Sequence, residues 1–351
     1  MTFASQSQTT APINALDFRR QRVSDPASSA SPSGTSMLGA RLLAPDVSSI
    51  AGTTFDFIQA VLLAPREPTL DAWFTSGPVA AHEQANVRYA TDGQWLHGHA
   101  EIDERRVEGG LRVATQRAYE QMFAVLASSG CPHLLRLWNY FPGINDDDEG
   151  LERYRHFNIG RQQAFLDARR SAFEGAPAAC ALGTQSGPLH VYFLAGRSLP
   201  VAIENPRQVS AYRYPDRYGP RSPTFSRAAL AEAGGGRQAL FISGTASIID
   251  HTTVHAGDVR RQTTECLNNI DAVLQAAQSQ ARMPFDAAQL DYTINVRHRD
   301  DLATVREVFE AHVGSAAPAA RSAAYLWADI CRADLLVEIE AHGFTPPEVG
   351  A

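Results

Sequence analysis

The sequence contains no lysine, so all 31 of its basic residues are arginine. Without a lysine amine, Schiff-base chemistry, anchorage of pyridoxal phosphate and a Walker-A phosphate loop are excluded. Anions must be held by guanidinium. Cysteine is scarce as well: Cys131, Cys180, Cys266 and Cys331 lie far apart and form no CxxC pair. Neither a zinc ribbon nor a disulfide framework follows from them, and they suit a reducing cytoplasm. Long apolar runs are missing too, since none approaches the ~20 residues of a membrane span. The first residues, MTFASQSQTTAPINALDFRRQ, lack a basic segment followed by an apolar stretch, so no signal peptide is expected. The formal charge, 31 − 38 = −7, argues against nucleic acid or an anionic membrane as partner. A cytoplasmic protein is expected.

What remains is ample for folding: 351 residues, 44% of them hydrophobic, suffice for one large or two ordinary domains with a core. Residues 1–36, rich in Ser, Thr, Ala, Gln and Pro, read as a disordered tail. Apolar spacing predicts helices over 111–129, 161–173, 258–281 and 302–312. Strands are predicted over 133–140, 178–183, 190–194, 208–214, 238–243, 292–296 and 334–341, with a strand or short helix over 55–63. The fold class expected is α/β (α+β), with a first lobe over 37–205 and a second over 206–345. The proline-rich stretch 200–223 reads as a linker or a site-lining connection between them.

Several motifs carry little. His97-Gly98-His99 and His251…His255 lack a partner Cys or carboxylate at ligand spacing, so no metal site is expected. Asp146–Glu149 lacks the alternating ligands and central glycine of a calcium loop. Gly234-Gly235-Gly236 precedes a strand rather than a helix, which excludes a dinucleotide loop. No Gly-x-Ser-x-Gly elbow is present.

Other residues are more suggestive. Arg161 is expected to open a helix, where main-chain N–H groups also receive anions. Arg297 ends a strand, a place from which side chains project into clefts. Tyr212 and Tyr214 share a strand face by period-2 alternation. Glu338 and Glu340 alternate with Val337 and Ile339. A carboxyl on a half-buried face must be paired or stay protonated, and the latter is the profile of a general acid. A solvated strand face is the bland alternative. Cys331, by default, is a small buried hydrophobe.

Ser243-Gly244-Thr245-Ala246-Ser247, Gln262, Asn269-Ile270, the strand ending in Arg297 and Leu336-Val337-Glu338-Ile339-Glu340 together resemble the RidA/YjgF-like fold. Leu137-Trp138-Asn139-Tyr140 with Gly143-Ile144-Asn145, Glu152-Arg153-Tyr154-Arg155 through Gly160-Arg161, and Asn205-Pro206-Arg207-Gln208 through Ala211–Pro215 resemble the chorismatase family. The likeness runs from about residue 111 to the end. It implies a two-lobed, RidA/YjgF-like mixed sheet packed with helices, the first lobe chorismatase-like.

The resemblance further implies chorismate as substrate, loss of its enolpyruvyl group as pyruvate, and no metal or organic cofactor. One branch of the family hydrolyses chorismate to a dihydroxycyclohexadiene carboxylate, another yields 3-hydroxybenzoate, and a pigment-pathway branch gives 3- and 4-hydroxybenzoate. Hydrolysing members carry Ala at two pocket positions where 3-hydroxybenzoate makers carry Gly and Cys; here these are Gly244 and Cys331. Arg161 and Arg297 are assigned to the two substrate carboxylates, with Tyr154 and Tyr212 as hydrogen-bonding and ring contacts. Glu338 is the acid, and Cys331 assists proton handling. A Rid-type enamine or imine deaminase and a non-catalytic small-molecule binder are the rival readings. The resemblance leaves a monomer or a trimer open.

Overall fold

The computed structural model describes residues 13–24, 32–45 and 57–348. Two large sheets lie face to face. One has ten strands in the order Leu16–Arg22, Thr69–Thr75, Ser36–Ala44, Phe57–Ala64, Ala324–Trp327, Asp291–Val296, Val337–Phe344, Arg237–Ala246, Ala228–Gly234 and Val201–Ile203. The other has seven, ordered Asp329–Ile330, Ala178–Thr184, His133–Pro142, Leu189–Gly196, Trp95–Ile102, Val87–Thr91 and Ala80–Gln84.

Four long helices complete the layers: α1 (Gly110–Ser128), α2 (Arg153–Asp167), α3 (Val259–Gln278) and α4 (Leu302–Val313). In α1 the buried Leu111, Ala114, Ala118, Met122 and Val125 form one stripe, and Gly130 at φ +76° with Pro132 follows its end. Asp258 starts α3 by accepting the Arg261 N–H at 3.0 Å. Helices α3 and α4 pack with Leu240, Ile242, Tyr292, Ile294, Val337 and Ile339 on the outer face of the ten-stranded sheet. Helices α1 and α2 cover the outer face of the seven-stranded sheet through Leu96, Leu137, Phe141, Val191 and Phe193. Between the sheets lies a third cluster that includes Trp73, Trp138, Tyr192 and Phe241.

The central strands are therefore buried on both faces. In Val337–Phe344, Val337, Ile339 and Ala341 pack toward α3, whereas the alternate Glu338 and Glu340 occupy the inter-sheet side. Among the described residues no helix is long and apolar enough to cross a membrane.

Three expectations need correction. The segment 1–36 is not wholly a tail: Leu16–Arg22 edges the ten-stranded sheet, pairing antiparallel with Thr69–Thr75. Arg20 Nε meets the buried Asp71 Oδ1 at 2.6 Å. The rest of that stretch, residues 1–12 and 25–31, lies outside the described residues. The lobes are not the contiguous blocks 37–205 and 206–345 either. Strands from residues 16–75 complete the sheet built by residues 201–344, and Asp329–Ile330 joins the other sheet. The stretch 208–214 is not a strand but holds a single 3₁₀ turn, Ala211–Arg213.

Helices α1 and α2 approach closely at Gly160, where a Cβ would run into the Arg112 carbonyl oxygen. Gly160→Ala is expected to lower stability by about 1–3 kcal/mol, the range for overpacking a rigid contact, read as a lower urea midpoint with unchanged slope.

Candidate active site

A cavity of about 440 Å³ opens where α2, the strand Ala178–Thr184, the connection 214–227, the strand Arg237–Ala246 and the segment 331–338 converge. Its volume suits a small organic ligand. Five arginines line it, Arg155, Arg161, Arg217, Arg227 and Arg332, against three acids, Glu152, Asp334 and Glu338. The balance favours an anionic ligand.

Glu338 is 4% exposed, and its Oε1 has no hydrogen-bond partner. Burial pushes its carboxyl up to about 8, the neighbouring Glu340 adds to the rise, and Arg136 opposes it. The group is therefore protonated at neutral pH, an acid with its proton still to give. Gly244 abuts it: a Cβ there would run into Glu338 Oε1 and come within 3.1 Å of Cys180 Cβ. Cys331 lines the same cavity, and burial, reinforced by Glu338, pushes its thiol up to about 12. At neutral pH the group is therefore a neutral thiol and not a thiolate. Tyr154 also lines the cavity, its phenol held neutral mainly by burial.

Arg161 faces the cavity, but not from a helix start. The helix begins at Arg153, so Arg161 sits in its third turn and the expected N-terminal anion site does not exist. The guanidinium lies 4.9 Å over the Phe157 ring, donates to Asn158 Oδ1 at 2.7 Å, and keeps Nε unpartnered.

Arg297 is not brought to the cavity lining. Its Nη1 meets Asp329 Oδ1 at 2.6 Å, and its other nitrogens donate to the carbonyls of Leu335, Ile330 and Arg332 and to Asn145 Oδ1. Those bonds fasten the segment that carries Cys331 and Arg332, so Arg297 shapes the cavity wall. Tyr212 is also absent from the lining. Its ring stands edge-on to Phe173 at 6.5 Å, because a 3₁₀ turn does not place residues two apart on one side as a strand does. Tyr214 lines the cavity instead and accepts from Arg227 through its hydroxyl at 2.9 Å. The connection 200–223 is thus site-lining, contributing Tyr214, Arg217 and Tyr218.

Arg217, Tyr218, Arg227, Asp334, Arg332 and Cys180 line the cavity although the sequence reading did not single them out for it. Arg332, next to Cys331, lies over the Tyr218 ring at 4.1 Å and keeps Nη2 without a partner. Its adjacency to Cys331 was the available signal. Cys180 sits beside Gly244 in a strand whose all-buried pattern gave no hint of a cavity. Away from the cavity, His99 Nε2 and His190 Nδ1 are 3.0 Å apart, with Glu101 Oε2 3.7 Å from the latter. The carboxylate expected to be missing is thus present, two residues beyond His99 on the same strand face.

The family model described as "Chorismatase FkbO/Hyg5-like, N-terminal" matches residues 71–195, and that described as "Endoribonuclease L-PSP" matches residues 224–343. A chorismatase of Streptomyces rapamycinicus is 39% identical over 78% of this chain and 82% of its own length. A 3-hydroxybenzoate synthase of Streptomyces hygroscopicus is 38% identical over 80% of this chain and 83% of its own. The crystal structure of a chorismatase superposes with a TM-score of 0.82 at 32% identity, covering 95% of this chain and 99% of that one. A sheltered carboxylic acid facing an arginine-lined cavity, in a chain with relatives of this extent, leads to one assignment: the protein belongs to the chorismatase family, with an L-PSP, RidA-like second part.

Proposed function

We propose that the enzyme converts chorismate into 3-hydroxybenzoate and pyruvate, with Glu338 as the acid. The observation that supports this most directly is the Glu338 carboxyl: buried, without a hydrogen-bond partner at Oε1, protonated near neutrality and lining a cavity with five arginines. Chorismate is a dianion, and a guanidinium fork matches a carboxylate through two parallel hydrogen bonds. Arg161 takes one carboxylate. Arg332 takes the other in place of Arg297, whose donors are occupied by main-chain oxygens. Tyr154 supplies a neutral hydroxyl and a ring wall.

Glu338 gives its proton to the methylene carbon of the enolpyruvyl ether, leaving an oxocarbenium centre. The neighbouring ring hydroxyl then attacks the ether-bearing ring carbon. That C–O bond breaks, its electrons return to the ether oxygen, and pyruvate leaves as the ketone. The hydroxyl proton restores Glu338. The resulting arene oxide opens and loses a ring proton to give the phenol, so the atoms of chorismate are all recovered in the two products without consumption of water. Attack by water on the activated side chain would give the diol instead. Gly244 and Cys331 govern which follows: Gly244 leaves the acid room beside it, and an alanine there forces the carboxyl aside.

Glu338→Gln is expected to lower pyruvate release from chorismate by about 10²–10⁴-fold at pH 7, with substrate binding retained by calorimetry; undiminished release would remove Glu338 from the chemistry. Saturable binding without turnover by the wild type would favour a non-catalytic binder, and turnover of 2-aminoacrylate in its place a deaminase.

The same residue sets a pH-dependent stability. Because burial raises its folded-state pKa to about 8 from an ordinary 4.5, the native chain binds more protons than the unfolded one between those values. Wild-type stability attributable to this proton is complete below about pH 4.5 and is lost as pH rises through about 8. Glu338→Gln is therefore expected to melt near the wild-type temperature at pH 4 and above it at pH 9. A Tm difference that does not change with pH would contradict the buried acid.

Gly244→Ala with Cys331→Ala is expected to move product from 3-hydroxybenzoate toward the diol, measured by chromatography. An unchanged ratio would take both residues out of the selectivity argument.

A further inference from the structure

The strand Val337–Phe344 places two carboxyls, Glu338 and Glu340, two residues apart on its inter-sheet side, each 4% exposed. They have different company. Arg136, from His133–Pro142 of the opposite sheet, donates through Nη2 to Glu340 Oε2 and through Nη1 to the Ile242 carbonyl at 3.0 Å. Glu338 Oε1 has no partner. The Ile242 carbonyl is itself significant, because the pairing of Arg237–Ala246 with Val337–Phe344 shifts register between Ile242 and Thr245. That bulge contains Gly244, the residue against Glu338. Arg136 thus grips the neighbouring carboxylate and the start of the bulge at once.

We propose that the Arg136–Glu340 ion pair is the positioning unit of the acid: it fixes one negative charge beside Glu338 and thereby keeps the proton on Glu338. This rests on the assignment of Glu338 as acid. Two carboxyls this close in a low-dielectric space do not both ionise readily. Arginine contact selects Glu340 as the charged member, leaving Glu338 as the protonated one. The other titratable groups interacting with Glu338 are Cys180 from Ala178–Thr184, Cys331 from the segment after Asp329–Ile330, Cys266 from α3 and Tyr154 from α2. Burial holds each of these neutral. Among the described residues, the charges acting on Glu338 therefore come from Glu340 and Arg136.

Glu340→Gln keeps the shape and an acceptor for Arg136 but removes the charge. The alkaline limb of the kcat profile is expected to move down by about one pH unit or more, so activity falls several-fold at pH 8 and stays near wild type at pH 6, with KM at pH 6 unchanged. Glu340→Asp, which keeps the charge, is expected to restore the limb. A uniform loss at all pH values with the limb unmoved would make the pair merely structural and overturn the proposal. Should Glu340→Gln not fold, carbon-13 labelling of glutamate in the wild-type enzyme decides. The Glu338 carboxyl, assigned by its disappearance in Glu338→Gln, is expected to carry its proton at neutral pH beside the Arg136–Glu340 ion pair. A Glu340 protonated at neutral pH would refute the idea. Full activity and an unchanged limb in Glu338→Gln would instead defeat the acid assignment itself, which separates the two failures.

Discussion

A strand that has lost both wet faces forces a choice on any carboxyl it carries. Helices cover one side of Val337–Phe344, and a second sheet covers the other. An ionised group there must find a cation or surrender its charge, since solvation by water is no longer available. Glu340 takes the first course with Arg136, and Glu338 takes the second. The cavity, its ring of arginines and the glycine against the acid are arranged around that unmatched proton. A solvent-facing strand of the same sequence would have left two ordinary carboxylates and no acid.

In a chain without lysine, guanidinium must serve both architecture and ligand, and the hydrogen-bond pattern separates the two uses. Arg297 and Arg136 spend their donors on main-chain carbonyls and carboxylates, which ties strands and segments together. Arg161 and Arg332 each retain a nitrogen with no partner in the protein while lining the cavity. A planar donor set left unfilled in a buried place is costly unless a ligand completes it. The architectural arginines matter to the same site at one remove: Arg297 secures the wall bearing Cys331 and Arg332, and Arg136 secures the strand opposite the acid.

Much of this was legible because it is local. The spacing in α1, α3 and α4 and the alternation around Glu338 are consequences of helix and strand periods, and they survive tertiary context. Asp258 as a helix start is equally local. The failures involve long-range pairing. Leu16–Arg22 is a short alternating strand embedded in Ser- and Pro-rich chain, and its partner strand, Thr69–Thr75, is distant in sequence. Arg297 has the right address, a strand end, but the carbonyls that claim it come from residues 330–335. Tyr212 lies in a 3₁₀ turn, where the period of 2 does not hold, and Tyr214 takes the cavity position. Helix α2 starts eight residues before the expected Arg161, where Tyr154 and His156 blur its apolar stripe, so Arg161 lies within the helix and not at an N-terminal anion site.

The irregularity in Arg237–Ala246 ties these features together. A regular ladder would continue past Ile242 with a side chain at each position. At the register shift the Ser243 hydroxyl donates to the Ser226 carbonyl at 2.5 Å and accepts, from the other sheet, the Ala179 N–H at 2.9 Å. The next residue is glycine, and its missing side chain is the space that Glu338 occupies. Bulges concentrate beside active sites because they re-aim side chains without breaking a sheet. Here one bulge does two things: Ser243 fastens the strand Ala178–Thr184 that forms a cavity wall, and Gly244 admits the carboxyl. Sheet-to-sheet attachment and acid placement are consecutive residues of one distortion, so a change at either is transmitted to the other through less than 4 Å of backbone.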